Sequence, residues 1–194
     1  MEVDAIAAAD PAQGGKMLTR RRLLCSLLLI GLAGISAAAD TSPAAEALAK
    51  LRTLAGDWEG PVEWTGARTD KGRMNVSYSL TGYGSAVVED LSGDGPPAMT
   101  SVYHLDGADL RMTHFCGAQN QPRLKASRID LASGAIDFAF VDITNLKSPD
   151  APHVYGVELR FADADHITLT FLFESGGQKS REKIELKRIA RRAA

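Results

Sequence analysis

Two of the four histidines of this chain, and one of its two cysteines, fall within residues 99–123, MTSVYHLDGADLRMTHFCGAQNQPR. A histidine beside a thiol can lower its pKa and create a nucleophile or a peroxide-reactive thiolate. A His–His–Cys cluster could instead bind a metal ion. The loop Asn120-Gln121-Pro122-Arg123 adds two amides and a guanidinium fork suited to an anionic head group.

Which of these groups can meet depends on the turn at Asp106-Gly107. A two-residue loop makes the residue numbers of each cross-strand pair sum to an odd value, and side chains alternate between faces along each strand. His104 then faces with Arg111 and Thr113. His114 faces with Leu110, Met112, Cys116, Tyr103 and Leu105, a mostly apolar set suited to an interior. The two histidines are separated, so a shared metal site is not expected, and no acidic residue stands at an evident third-ligand spacing. His114 and Cys116 share a face about 7 Å apart at the backbone, for a rise of about 3.4 Å per residue. The plain alternative is a cysteine packed as a small hydrophobe and a histidine bonded to a carbonyl.

The elements that carry these residues are legible from their punctuation. Ser42-Pro43 reads as an N-cap with proline in the first helical turn; Ala44, Ala45, Leu48 and Leu51 keep helical spacing, Glu46 precedes Lys50 by one turn, and Gly56 stops the helix. Afterwards the period changes to two. Strands are expected at 57–64, 73–81, 85–91, 99–105, 110–116, 123–131, 135–141, 154–161, 166–174 and 181–189, with Ile136, Phe138 and Phe140 on one face. Residues 142–152 form a longer connection that could hold a helical turn. No helical pattern separates the strands, so βαβ units are excluded. The fold class is all-β: an antiparallel up-and-down barrel of about ten strands preceded by one short N-terminal helix, with a two-sheet sandwich as the alternative.

Other candidates have plain roles. Trp58 and Trp64 read as structural, Trp58 plugging the barrel end against the helix near Leu48 or Leu51 with its N–H needing a partner. Arg128 competes with Arg123, since it shares a face with Leu124 and Ala126. His153 reads as a loop residue and His166 as a turn residue. Ser85 in Gly82-Tyr83-Gly84-Ser85 lacks the strand-to-helix context of a nucleophile elbow, and its glycines suit a bend or a positive φ.

Gly56-Asp57-Trp58-Glu59-Gly60 resembles the Gly-x-Trp-x-Gly start of calycin-type barrels. Together with TGYGSAVVEDL, MTSVYHLDGADLRMTHFCGAQNQPR and FVDITNLKSPDAPH, it resembles a family of exported bacterial proteins of unknown function over most of residues 51–188. The resemblance implies a lipocalin- or fatty-acid-binding-protein-like barrel and brings no activity with it. The opening motif is also similar to that of haem-binding nitrobindin-like barrels. Here, however, Pro61-Val62 stands where those carry a further glycine, and the last strand has no histidine to ligate haem. The cofactor is left unknown.

The first 39 residues read as an N-terminal extension and signal peptide, leaving residues 40–194 as a single barrel domain. Arg20-Arg21 precedes an apolar run of about 13 residues, short of the roughly 18 needed to cross a bilayer, and Ala37-Ala38-Ala39 supplies a cleavage site. The arginine pair suits a twin-arginine export signal as well as an ordinary one. Met17 is as plausible a start as Met1. Export is expected, to the periplasm, with no membrane span after cleavage. Cys25 would leave with the leader, so Cys116 would have no disulfide partner.

Of the 22 basic and 24 acidic residues, four and three lie in the leader, which leaves a net charge of −3. That mild acidity argues against a nucleic-acid partner. Lys187, Arg188, Arg191 and Arg192 read as a solvated basic tail. The leading expectation is a non-catalytic binding protein for a small apolar or amphipathic molecule. Tyr103, Met112, His114 and Cys116 would line the cavity, and Gln121 and Arg123 would anchor its mouth. The alternatives are a small enzyme or redox protein using His114 and Cys116, and an interaction protein with a filled barrel.

Overall fold

A computed structural model describes residues 42–93 and 95–191. The leader 1–39 and Arg192 lie outside the described residues. The helix α1 (Pro43–Arg52) is followed by ten strands: β1 (Gly56–Gly66), β2 (Asp70–Thr81), β3 (Ala86–Ser92), β4 (Met99–Asp106), β5 (Asp109–Phe115), β6 (Gln121–Asp130), β7 (Ala135–Thr144), β8 (His153–Phe161), β9 (His166–Ser175) and β10 (Gln178–Arg191). Each strand pairs antiparallel with the next, and β10 pairs with β1 to close the barrel. The up-and-down barrel is therefore observed, and the sandwich is not. Closure removes the free edges that an open meander would present.

The helix forms as its sequence dictates. Ser42 Oγ accepts from Ala45 N at 3.2 Å, and Ala44, Ala47, Leu48 and Leu51 make one buried stripe. That stripe packs against β3, β4, β5 and β6 at one end of the barrel. Burial of each leucine there is worth about 1.5–3 kcal/mol.

The opening motif has a physical reading. The indole N–H of Trp58 donates to Leu54 O at 2.8 Å, and its ring meets Tyr78 edge-on at 6.2 Å. At Gly60, a Cβ would stand 1.8 Å from the Glu185 carbonyl oxygen on β10, so only glycine allows the two strands to approach.

Arg188 overturns the reading of a solvated tail. Its side chain is only 5% exposed and its guanidinium lies over the Trp58 ring at 4.1 Å. It donates to the carbonyls of Thr53, Leu54 and Ala55 at 2.8, 3.2 and 3.0 Å, and pairs with Asp165 at 3.0 Å. These carbonyls lie just beyond the helix C-terminus, where a cation is favoured. Alternation along β10 places position 188 inward, and the outer-facing Lys187 follows the expected pattern.

Other local expectations change for definable reasons. A bulge between Ala126 and Arg128 resets the parity of β6, so Arg128 points out to Asp130 at 2.9 Å instead of sharing the Leu124 face. Phe140 is 40% exposed, unlike the buried Ile136 and Phe138, and meets the His153 ring at 5.8 Å. The connection after β7 contains no helical turn.

Arg188→Met should lose the anchor between α1 and the last strand and leave buried carbonyls unpaired. Urea unfolding should then show a loss of about 2–4 kcal/mol. A loss below about 0.5 kcal/mol would mean that the clamp contributes nothing.

Candidate functional site: a polar row beneath an end cavity

The β4–β5 hairpin turns through Gly107-Ala108, with Tyr103 opposite Met112 and His104 opposite Arg111. The odd pairing sum therefore holds. His104 stands on the outer face with Arg111, while Tyr103, Met112 and His114 point inward and are fully buried. Leu105 has the inner parity but is 37% exposed, because it lies at the hairpin end of the strand.

The register aligns a second feature. Tyr78 on β2 stands opposite Glu89 on β3, Glu89 opposite Ser101 on β4, and Ser101 opposite His114 on β5. Four polar side chains thus form one row across four adjacent strands, on the inner face. Glu89 is fully buried and accepts from the Tyr78 and Tyr103 hydroxyls at 2.8 Å each and from Ser101 Oγ at 3.0 Å. Ser101 Oγ also lies 3.0 Å from His114 Nδ1. Burial raises the Glu89 carboxyl above its ordinary value, and the three hydroxyl donors offset only part of the rise. Burial alone takes the His114 imidazole down to about 4. Its ring lies against Phe171, centroids 4.8 Å apart, and its Nε2 has no partner among the described residues.

The row ends at His114 because β6 brings Pro122 next. Pairing of β5 with β6 stops at Thr113 opposite Arg123, and proline has no N–H to continue it. The hairpin nevertheless keeps its register beyond the proline, Cys116 N donating to Asn120 O at 3.0 Å, and a cavity of about 200 Å³ lies at this end of the barrel, away from α1. Met99, Trp64, Val154, Phe171 and Phe173 provide apolar wall, while His114, Cys116, Glu182 and Arg68 provide the polar groups. Trp64 meets Phe173 edge-on at 5.6 Å, and the Arg68 guanidinium lies over the Trp64 ring at 4.0 Å. Trp64 is therefore cavity wall as well as structure.

The expected site residues separate into three groups. His114 and Cys116 border the cavity together. Tyr103 and Met112 are buried in the core and do not line it; Tyr103 serves Glu89 instead. Arg123 is not at the mouth. It lies on the outer face, bonded to Asp142 through Nε and Nη2 at 2.5 and 2.8 Å, beside a separate outer groove that includes His104. Gln121 accepts from Thr144 at 2.8 Å, and Asn120, 2% exposed, ties the loop to Pro152 O at 2.8 Å. The amide loop thus bonds chiefly to its own surroundings.

Glu89, Ser101, Trp64 and Glu182 were the residues missed. Alternation contains the signal for two of them: Glu89 shares a face with Val87 and Leu91, and Glu182 with Ile184 and Leu186, so each acid is due to enter the interior. Glu182 is 5% exposed, and burial raises its carboxyl to about 7 despite Arg68 nearby and a bond from the Trp64 indole. Among the described residues, no group of three or more His, Cys, Asp or Glu could hold a metal ion.

Cys116 is a half-buried free thiol that accepts from Ala118 N at 3.5 Å. Burial raises its thiol above the ordinary value, and nearby Glu182 adds to the rise. The native thiol should react with iodoacetamide at least about tenfold more slowly at neutral pH than in urea; equal rates would restore a reactive cysteine.

Glu182 sets a pH signature. Below its ordinary value of 4.5 the carboxyl is protonated in folded and unfolded chains alike; between there and about 7 only the unfolded chain ionises. Stability is therefore fully present at low pH and lost as pH rises through that window. Glu182→Gln should match the wild type at about pH 4 and exceed it by about 1–3 kcal/mol at about pH 8. A difference that does not change with pH would contradict the burial of an acid here.

No protein-family model matches the chain. No match is found among curated proteins. Solved structures similar to it include Rv2717c from M. tuberculosis, 18% identical over 77% of this chain and 99% of that one, with a TM-score of 0.48. A protein of unknown function of the DUF3598 family, from Nostoc punctiforme PCC 73102, is 15% identical over 72% of this chain with a TM-score of 0.49; the likeness spans 49% of that protein. A redesigned β-barrel is 14% identical over 72% of this chain and 94% of that one, with a TM-score of 0.34.

Proposed function

We propose that the protein is an exported, non-catalytic binding barrel for a small amphipathic molecule held in the end cavity. The observation that carries this reading is a cavity with apolar walls bordered by a buried imidazole whose Nε2 has no protein partner. Cavities that take drug-sized ligands measure about 300–1,000 Å³, whereas a dry cavity of about 150 Å³ accepts benzene. At about 200 Å³, this one suits a molecule of single-ring size. Trp64, Phe171 and Phe173 would take the ring, and His114 with Glu182 would orient its polar end. Tyr103 and Met112 would support the floor from the core, while Gln121 and Arg123 would have no direct part.

Export rests on the leader-like first 39 residues, whose arginine pair suits a twin-arginine signal as well as an ordinary one, and on the resemblance to exported calycin-like proteins of unknown function. Binding rests on the cavity. The thiol reading loses ground because partial burial and nearby Glu182 raise the Cys116 thiol. The filled-barrel reading accounts for the middle of the barrel, where Tyr78, Tyr103, Leu124 and Phe138 are packed, but not for the end cavity.

Trp64 provides a direct readout, since it lines the cavity. Titration with a panel of single-ring compounds should change its fluorescence saturably for some of them, and native mass spectrometry of periplasmic protein should detect a bound small molecule. Absence of saturable uptake across the panel, with an empty protein by mass, would refute the binding reading.

A further inference from the structure

Building on the binding reading above, we propose that the row Tyr78–Glu89–Ser101–His114 presets His114 as a hydrogen-bond acceptor, so that the cavity selects a small ligand bearing an O–H or N–H donor. The assignment follows from counting protons. Four contacts join the five side chains: Tyr78 to Glu89, Tyr103 to Glu89, Ser101 to Glu89, and Ser101 to His114. Each hydroxyl has one proton and a neutral imidazole has one. With Glu89 ionised, four protons serve four contacts. The Ser101 proton goes to Glu89, so Oγ must accept from His114, and the imidazole proton must sit on Nδ1. Nε2 is left with a bare lone pair.

A proton on Glu89 would reverse the row. Glu89 would donate to Ser101, Ser101 to Nδ1, and Nε2 would carry the hydrogen. Burial raises the Glu89 carboxyl, and the three hydroxyl donors that converge on it offset part of that rise by favouring the ionised form, which is the form taken for the row. Burial keeps the imidazole neutral, so the site presents a lone pair and not a cation. Glu89 and Ser101 are in this sense positioning residues: they lie below the cavity and set the character of the one row member that borders it.

The selectivity follows. A ligand that enters the cavity leaves water behind. A hydroxyl or amine donor recovers its hydrogen bond at Nε2, whereas a purely apolar ring leaves Nε2 unpaired. The apolar walls treat both rings alike. Phenol and toluene are therefore matched probes, similar in size and differing in the donor.

Two measurements test this. Nitrogen-15 NMR of the free protein reads the tautomer of His114 directly. Hydrogen on Nδ1 with a bare Nε2 is expected at neutral pH, and hydrogen on Nε2 would overturn the assignment. Ser101→Ala removes the acceptor for Nδ1–H and should shift the ring toward the Nε2–H form; an unchanged tautomer would mean that the row does not set it. In titrations of the wild type, phenol should bind about tenfold more tightly than toluene, a preference worth about 1.4 kcal/mol, and Ser101→Ala should largely abolish that preference. Equal binding would leave the cavity standing and overturn the donor selectivity. Binding of neither probe would overturn both, whereas the tautomer is judged separately on the free protein.

Discussion

The burial of the Glu89 carboxyl is the constraint on which the rest of this barrel's interior depends. A fully buried carboxylate costs several kcal/mol unless its lone pairs are satisfied. The satisfaction comes from three hydroxyls on two neighbouring strands, Tyr78 on β2 and Ser101 and Tyr103 on β4. Each can reach Glu89 only in one pairing register. A one-residue slip of any of these strands would turn its hydroxyl out of the barrel and strand the acid. The polar row thus specifies the register that the surrounding apolar residues, which are interchangeable in type, specify less sharply.

The same row divides the barrel into two regimes. Toward the helix, the interior is filled: Trp58, Tyr78, Leu48 and Leu51 pack closely, and Arg188 ties the helix terminus to the last strand. Toward the other end, the apolar Pro122 stands on β6 where the row would continue, and the row terminates in an imidazole with one nitrogen satisfied and one not. A solid core beneath a small cavity is what a preorganised site requires, since the packed half holds His114 in place. The upper half supplies apolar wall from Trp64, Phe171 and Phe173 and a second titratable group, Glu182.

Much of this was legible from the sequence, and the failures have physical causes. The helix and ten strands follow from capping, period and turn chemistry, and the odd pairing sum correctly separated His104 from His114. Parity within one hairpin does not by itself decide which residues border the cavity. Tyr103 and Met112 share the His114 face, but only depth along the barrel decides which residue meets the cavity, and depth depends on strand tilt and closure. The mouth position expected for Arg123 conflicts with its strand parity: Leu124 faces in, so Arg123 faces out to Asp142. Arg128 could not be placed by alternation at all, since the bulge that resets its parity has no sequence marker as strong as glycine or proline. Glu89 was readable from its alternation with Val87 and Leu91, and Glu182 from its place between outward Arg181 and Lys183.

The central claim is that the end cavity binds a ligand through His114 Nε2. A crystal structure of protein isolated from its native host, without refolding, tests it most directly. The prediction is ordered density of single-ring size between Phe171 and Trp64, with a polar atom about 2.7–3.2 Å from Nε2. A cavity collapsed by its own side chains, with Nε2 bonded to a protein group, would contradict it.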